Sequence, residues 1–160
     1  MAVTATPIFA QVPNVGALNA ILSTAMTNTT AFDGTMATGT AMALVFTAGA
    51  NGSRIDQIAC KFTSTNGATA SGTSSVTVVR FWINNGSVNT TAGNNIFLGE
   101  VQLPATAVTA LGTTALPVYN LPLPPGGLNL PGTYRIYAGT TVAAGGTAIA
   151  IAVNALGGDY

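Results

Sequence analysis

Glycine, asparagine and proline cut this chain into short pieces, and that punctuation limits its fold more than any other feature. From Thr40 onward, short runs of β-branched, aromatic and other apolar residues are separated by turn signals, and no long segment keeps a helical period. The expected class is all-β. Asn51-Gly52 divides residues 41–48 from 54–65, and Asn84-Asn85-Gly86 divides residues 75–83 from 95–103. Asn-Gly supplies the positive φ of a tight turn, so each pair of runs reads as a hairpin. Further strands are expected near residues 20–26, 115–121, 132–142 and 147–156. The run Pro122-Leu123-Pro124-Pro125-Gly126-Gly127 reads as loop or edge, because proline donates no ladder hydrogen bond. About eight strands at near-regular spacing predict a single-domain antiparallel two-sheet sandwich, jelly-roll type, over residues 31–160. Residues 1–30 alternate Thr, Ala, Asn and Met without a firm period, and Pro7 and Pro13 interrupt them. They read as either an extended N-terminal arm or an ordinary first strand.

Side-chain parity says which faces are covered. Between Val76 and Ile83 the even set (Val76, Val78, Trp82) and the odd set (Val79, Phe81, Ile83) are both mainly apolar. A strand apolar on both faces is buried on both. One face would serve the core between the sheets, the other a subunit contact or a covering loop. In residues 147–156, Ile149, Ile151 and Val153 share one face and Ala148, Ala150 and Ala152 the other, which reads either as a face where alanine permits close approach by a neighbour or as a weakly amphipathic strand.

At 160 residues the chain is long enough for one domain with a sizeable core. Only four Lys/Arg and four Asp/Glu are present, 5% of residues, with zero net charge. An ordinary domain carries about 25% charged residues, so this surface has no basic field for nucleic acid or an anionic membrane. No apolar run approaches the roughly 20 residues that span a bilayer. The first residues lack the basic n-region and apolar h-region of a secretory signal, which makes synthesis in a cytosol the expectation. Near-zero charge favours association, a property that a particle component tolerates well.

Histidine is absent, which removes Ser-His-Asp and Cys-His nucleophile systems and histidine metal sites. The acids Asp33, Asp56, Glu100 and Asp159 are isolated in sequence, with Asp33-Gly34 and Gly158-Asp159 in turn settings. A glycosidase needs two carboxylates across one cleft, which such spacing does not supply. The expectation is a non-enzyme with no catalytic, cofactor-binding or metal-ligating residue and no cofactor. Arg54 and Asp56 read as a surface pair. Arg80 and Arg135 fall inside strands, Arg80 being the more buried. Cys60, the single cysteine, shares parity with Ile58 and Phe62 and reads as a small buried hydrophobe, with Lys61 on the opposite face. Asn-x-Ser/Thr triplets at Asn28, Asn51, Asn85 and Asn89 are expected by chance in a chain so rich in Asn and Thr.

Four stretches carry a resemblance. Phe46-Thr47-Ala48-Gly49-Ala50-Asn51-Gly52-Ser53-Arg54-Ile55-Asp56-Gln57-Ile58, Val79-Arg80-Phe81-Trp82-Ile83-Asn84-Asn85-Gly86, Leu121-Pro122-Leu123-Pro124 with Tyr134-Arg135-Ile136, and the closing Ala155-Leu156-Gly157-Gly158-Asp159-Tyr160 resemble small virion proteins of tailed bacteriophages and prophages. The resemblance covers roughly residues 30–160, its motifs being turn chemistry plus an unusual ending, and departs in the first 30 residues and between Pro104 and Pro131. It implies a jelly-roll structural protein of the virion: a capsid decoration or cement protein, trimeric, bound to the major capsid protein of the phage head. The alternative it leaves open is a tail-associated or receptor-binding module on the same fold. Tyr160 would then anchor a neighbouring contact, or else fray as a chain end.

Overall fold

The structure, a computed structural model, describes residues 12–17, 20–35, 39, 41–64, 72–108, 115–145 and 148–160. It is an all-β sandwich. Among the described residues the strands are β1 (Val12–Asn14), β2 (Ala20–Leu22), β3 (Met42–Thr47), β4 (Ser53–Ser64), β5 (Gly72–Thr73), β6 (Thr77–Asn84), β7 (Asn95–Leu103), β8 (Ala107–Val108), β9 (Tyr119–Asn120), β10 (Leu128–Leu130), β11 (Arg135–Thr140) and β12 (Ile149–Asp159), a short α-helix, α1, spans Thr30–Asp33, and a 3-10 turn spans Ala92–Asn94. One sheet, here called the front sheet, runs β1-β12-β4-β10, with β2 also paired to β12 and β9 to β4. The back sheet runs β3-β11-β6-β7, and β5 pairs with β8 in a small ribbon. Every pairing among them is antiparallel.

Alternation fills the space between the sheets. Ile149, Ile151, Val153 and Ala155 of β12 and Ile58, Cys60 and Phe62 of β4 meet Val45, Val79, Phe81 and Ile136 from the back sheet in one buried cluster. Ile149, Ile151 and Val153 thus share the inward face that their parity predicted. Near the far end of the β4 and β12 ladder the register shifts between Leu156 and Gly157, leaving Asp56 without a partner opposite it. That bulge lets Ile55 and Ile58, at odd spacing, both reach the core.

Two sequence expectations need correction or refinement. Residues 41–48 and 54–65 do form strands around an Asn-Gly turn, but β3 and β4 are not a hairpin: β3 pairs with β11 and β4 with β12. The turn is closed by Gly52 N–H donating to Gly49 O at 3.1 Å, while Ala48 N–H donates to Tyr134 O at 2.8 Å and Thr133 N–H to Gly49 O at 3.2 Å. These bonds tie the end of β3 to the chain entering β11, so the turn carries β4 across to the other sheet. The expected hairpin of β6 and β7 is present, with Asn84 opposite Asn95. Its connection is a longer loop, in which the buried Asn84 side chain donates to Asn95 Oδ1 at 2.8 Å and accepts from Gly86 N–H at 2.9 Å.

Within the first 30 residues, the described part contributes β1 and β2, both paired to β12. Pro13 sits in β1 at the sheet edge, where a missing donor is tolerated. Residues 1–11 lie outside the described residues. No helix among the described residues is long and apolar enough to cross a membrane.

Candidate functional site

The structure assigns each acid its own partners. Arg54 Nε lies 2.8 Å from Asp56 Oδ1, the surface pair expected from their spacing. Arg80 lies opposite Glu100 in the β6–β7 register, and its Nε donates to Glu100 Oε2 at 3.0 Å. Asp33 ends α1 and accepts from the Thr35 N–H at 2.9 Å and hydroxyl at 2.5 Å, which hold its carboxyl below the ordinary value. Arg135 donates to Ser87 O at 3.4 Å. Among the described residues, no three of Cys, Asp and Glu gather into a metal-binding group. Cys60 is buried beside Tyr119 O, and burial pushes its thiol up to about 12, so it stays protonated at neutral pH.

Asp159 has the richest environment. It sits on β12 opposite Ser53 of β4 and Val12 of β1. Its Oδ1 accepts from Ser53 Oγ at 2.5 Å, from Asn14 Nδ2 at 2.9 Å and from Gly49 N–H at 3.3 Å. The fully buried Ser53 hydroxyl in turn accepts from Gly49 N–H at 2.9 Å. Beside this knot, Tyr160 N–H donates to Gly52 O at 3.1 Å and its hydroxyl to Asn129 Oδ1 at 2.8 Å. The last residues are therefore stitched into the front sheet, and Tyr160 has its partners within its own chain. Burial raises the Asp159 pKa, but the three donors outweigh it and the carboxyl ends below its ordinary value of 3.8.

A carboxyl whose folded pKa is depressed contributes stability above the unfolded value and loses it as the pH falls through the folded one. Urea midpoints should hold near neutrality and drop once the pH falls below about 4. Asp159→Asn, which keeps a carbonyl acceptor but no titrating proton, should show a shallower drop. Identical pH profiles for the two proteins would sink this assignment.

The outer surfaces hold what is left for binding. On the front sheet, a groove of about 570 Å³ is lined by Val15, Gln57, Lys61, Val118, Asn154 and Leu156, with Ala59 and Ala152 at its floor. Val15 and Val118 are each 55% exposed. On the back sheet, Phe32 and Phe97 flank a smaller groove of about 300 Å³ with Arg80 and Glu100. Arg80 also donates to Ala31 O at 2.6 Å, and its guanidinium lies 5.8 Å from the Phe32 ring centre. Sequence reasoning singled out neither groove, because Val15, Val118, Phe32 and Phe97 are ordinary apolar residues until the topology leaves them outside. The Arg80–Glu100 pair was legible in principle, since the β6–β7 hairpin places the two opposite each other. Comparison with protein-family models, with curated proteins and with solved structures gives no match for this chain.

Proposed function

We propose that the chain is a structural component of a bacteriophage particle: a capsid decoration or cement protein, homotrimeric, that binds the major capsid protein and stabilises the head shell. In this reading it is made in the host cytoplasm and resides in the virion. The observation that carries it is the convergence of the two most distinctive stretches of the resemblance. Gly49 and Ser53 of the first and Asp159 of the last meet in one hydrogen-bonded knot. Residues that resemble a family pattern at both places are thus parts of one structural unit.

The strand order supports the jelly-roll reading. Along the chain, strands fall in the front sheet (β2), back (β3), front (β4), back (β6 and β7), front (β10), back (β11) and front (β12). This wrapping, with β12 between β2 and β4 and β11 between β3 and β6, is what the double Greek key of a jelly roll would give, and it supports that reading. The alanine floor and exposed valines of the front-sheet groove, rimmed by Gln57, Lys61 and Asn154, offer a partly apolar contact for a neighbour. The rival reading, a tail-associated or receptor-binding module, draws on Phe32, 80% exposed, beside Phe97, 51% exposed. Exposed aromatics suit recognition of a ligand.

Mass spectrometry of purified particles, counting copies per virion, separates the two. A copy number commensurate with the head lattice supports the decoration reading; a handful supports the tail module; absence from the particle overturns both. The mode of attachment is a further prediction. Four of the eight charges are spent on the Arg54–Asp56 and Arg80–Glu100 pairs, and Asp159 is held inside its knot. Salt shortens the Debye length from about 10 Å at 0.1 M to about 3 Å at 1 M, while apolar burial is not screened in this way. Trimers and particle-bound copies should therefore survive about 1 M NaCl on size exclusion and sedimentation but be lost in moderate guanidinium chloride. Release by salt alone would show that charge carries the contact.

A further inference from the structure

We propose that residues 23–35 form a latched lid over a second apolar face of the sandwich, a lid that opens while the core between the sheets stays folded, with Arg80 as its latch.

The face under the lid is a row. Leu44, Tyr137, Trp82 and Phe97 lie opposite one another in register across all four strands of the back sheet, on the side away from the main core. Trp82 and Tyr137 are buried with Met42, Ala41 and Met26 in a cluster separate from the main one. Phe97, at the end of the row, meets Trp82 edge-on with ring centres 6.3 Å apart and remains half exposed. The cover over the row comes from residues 23–35, the covering loop that the two-faced apolar pattern of β6 left as one option.

Two close approaches seat the lid. A side chain at Gly34 would overlap the Trp82 indole at 2.7 Å, and one at Gly139 would overlap the Met26 thioether. The glycines thus let the lid's backbone lie directly on Trp82 and let Met26 lie directly on β11. Beyond Met26 and Gly34, the lid buries little: Thr27, Asn28, Thr29 and Phe32 are exposed, and no residue of α1 is buried. α1 has four residues and no side-chain cap at its start. An isolated helix of that length has no stability of its own.

What holds the lid is polar and concentrated on a few atoms. Arg80 reaches from β6 to Ala31 O, and Asn95 Nδ2 donates to Asp33 O and Gly34 O at 3.3 Å each. At the root, Met26 N–H donates to Thr140 O at 2.8 Å and Ala144 N–H to Ser23 O at 3.2 Å. The closed state also leaves Trp82 Nε1 buried without a hydrogen-bond partner among the described residues, a donor that water would satisfy once the lid lifts. Segments with few buried apolar contacts, held by a handful of hydrogen bonds, open below the global unfolding transition.

The chain contains one Trp and one Cys, and they report on the two clusters separately: Trp82 lies under the lid and Cys60 in the main core. In the full-length protein titrated with urea, acrylamide quenching of Trp82 should rise before Cys60 reacts with a thiol reagent. In Arg80→Met, loss of a charge-assisted hydrogen bond should raise the open population by about tenfold, seen as a red-shifted and more quenchable Trp82 with Cys60 still protected. Glu100→Gln, which loosens Arg80 without removing it, should shift Trp82 in the same direction by less. Trp82 and Cys60 becoming accessible together in the wild-type titration would overturn the proposal, and so would Trp82 staying as shielded in Arg80→Met as in the wild type.

Discussion

Deleting residues 158–160 should destabilise the fold itself, by about 3 kcal/mol or more, rather than merely loosening a contact with a neighbour. The deletion removes the ladder partners of Val12, Pro13, Ser53 and Arg54 at once. It also strips the Ser53 hydroxyl, the Gly49 N–H and the Asn14 amide of their shared acceptor. Ser53 is fully buried, and a buried donor left without its partner costs about 1–3 kcal/mol. With total stabilities of about 5–15 kcal/mol, the loss approaches the threshold for folding. The check is the urea midpoint of the truncated chain against the full one, with Asp159→Ala as the point variant that removes the acceptor but keeps the strand. The sequence offered two readings of these residues, a frayed end or an anchor for another subunit. An unchanged midpoint would restore them, since both leave the fold alone.

How far the sequence carried depends on the range of the interaction. The strands around residues 41–48, 54–65, 75–83 and 95–103 were legible because apolar runs and Asn-Gly turns are local signals. The inward set Ile149, Ile151 and Val153 was legible because parity is local too. Cys60 as a buried hydrophobe between Ile58 and Phe62 follows from the same alternation, and the structure buries it in the core. The fate of the Gly49–Gly52 turn was not legible. The same residues close a hairpin or turn a corner between sheets, and the choice is made by Tyr134 and Thr133, some 80 residues away in sequence. β1 was hidden because Pro13 argues against a strand anywhere but an edge. β10 was hidden because three residues carry too little pattern. The Asp159 knot joins residues 106 and 145 positions apart, and no spacing rule reaches that far. Strand parity found that β6 is covered on both sides but could not say by what, because the lid over Trp82 has almost no apolar pattern of its own.

The back sheet supplies a paired prediction in which one residue type gives opposite outcomes on neighbouring strands. Phe81 is completely buried in the main core, and its in-register neighbours are Ala138 on β11 and Gly99 on β7. Small residues on both sides cannot lean in to fill a void, so Phe81→Ala should fall in the range of about 3–5 kcal/mol found for buried phenylalanines. Phe97 lies one strand over, half exposed, with its edge contact to Trp82 as its main buried interaction. Phe97→Ala should therefore change stability by about 1 kcal/mol or less. Chemical denaturation of the two variants tests the pair: comparable losses would mean that the back sheet's outer row carries as much of the fold as the space between the sheets. Because Phe97→Ala is expected to leave the fold intact, it is also the cleaner probe of the proposed attachment to a phage particle. Particle occupancy that falls in this variant while its midpoint holds would put the contact on the back sheet, beside Phe32. Unchanged occupancy would direct the search to the alanine-floored groove of the front sheet, where Val15 and Val118 stand exposed.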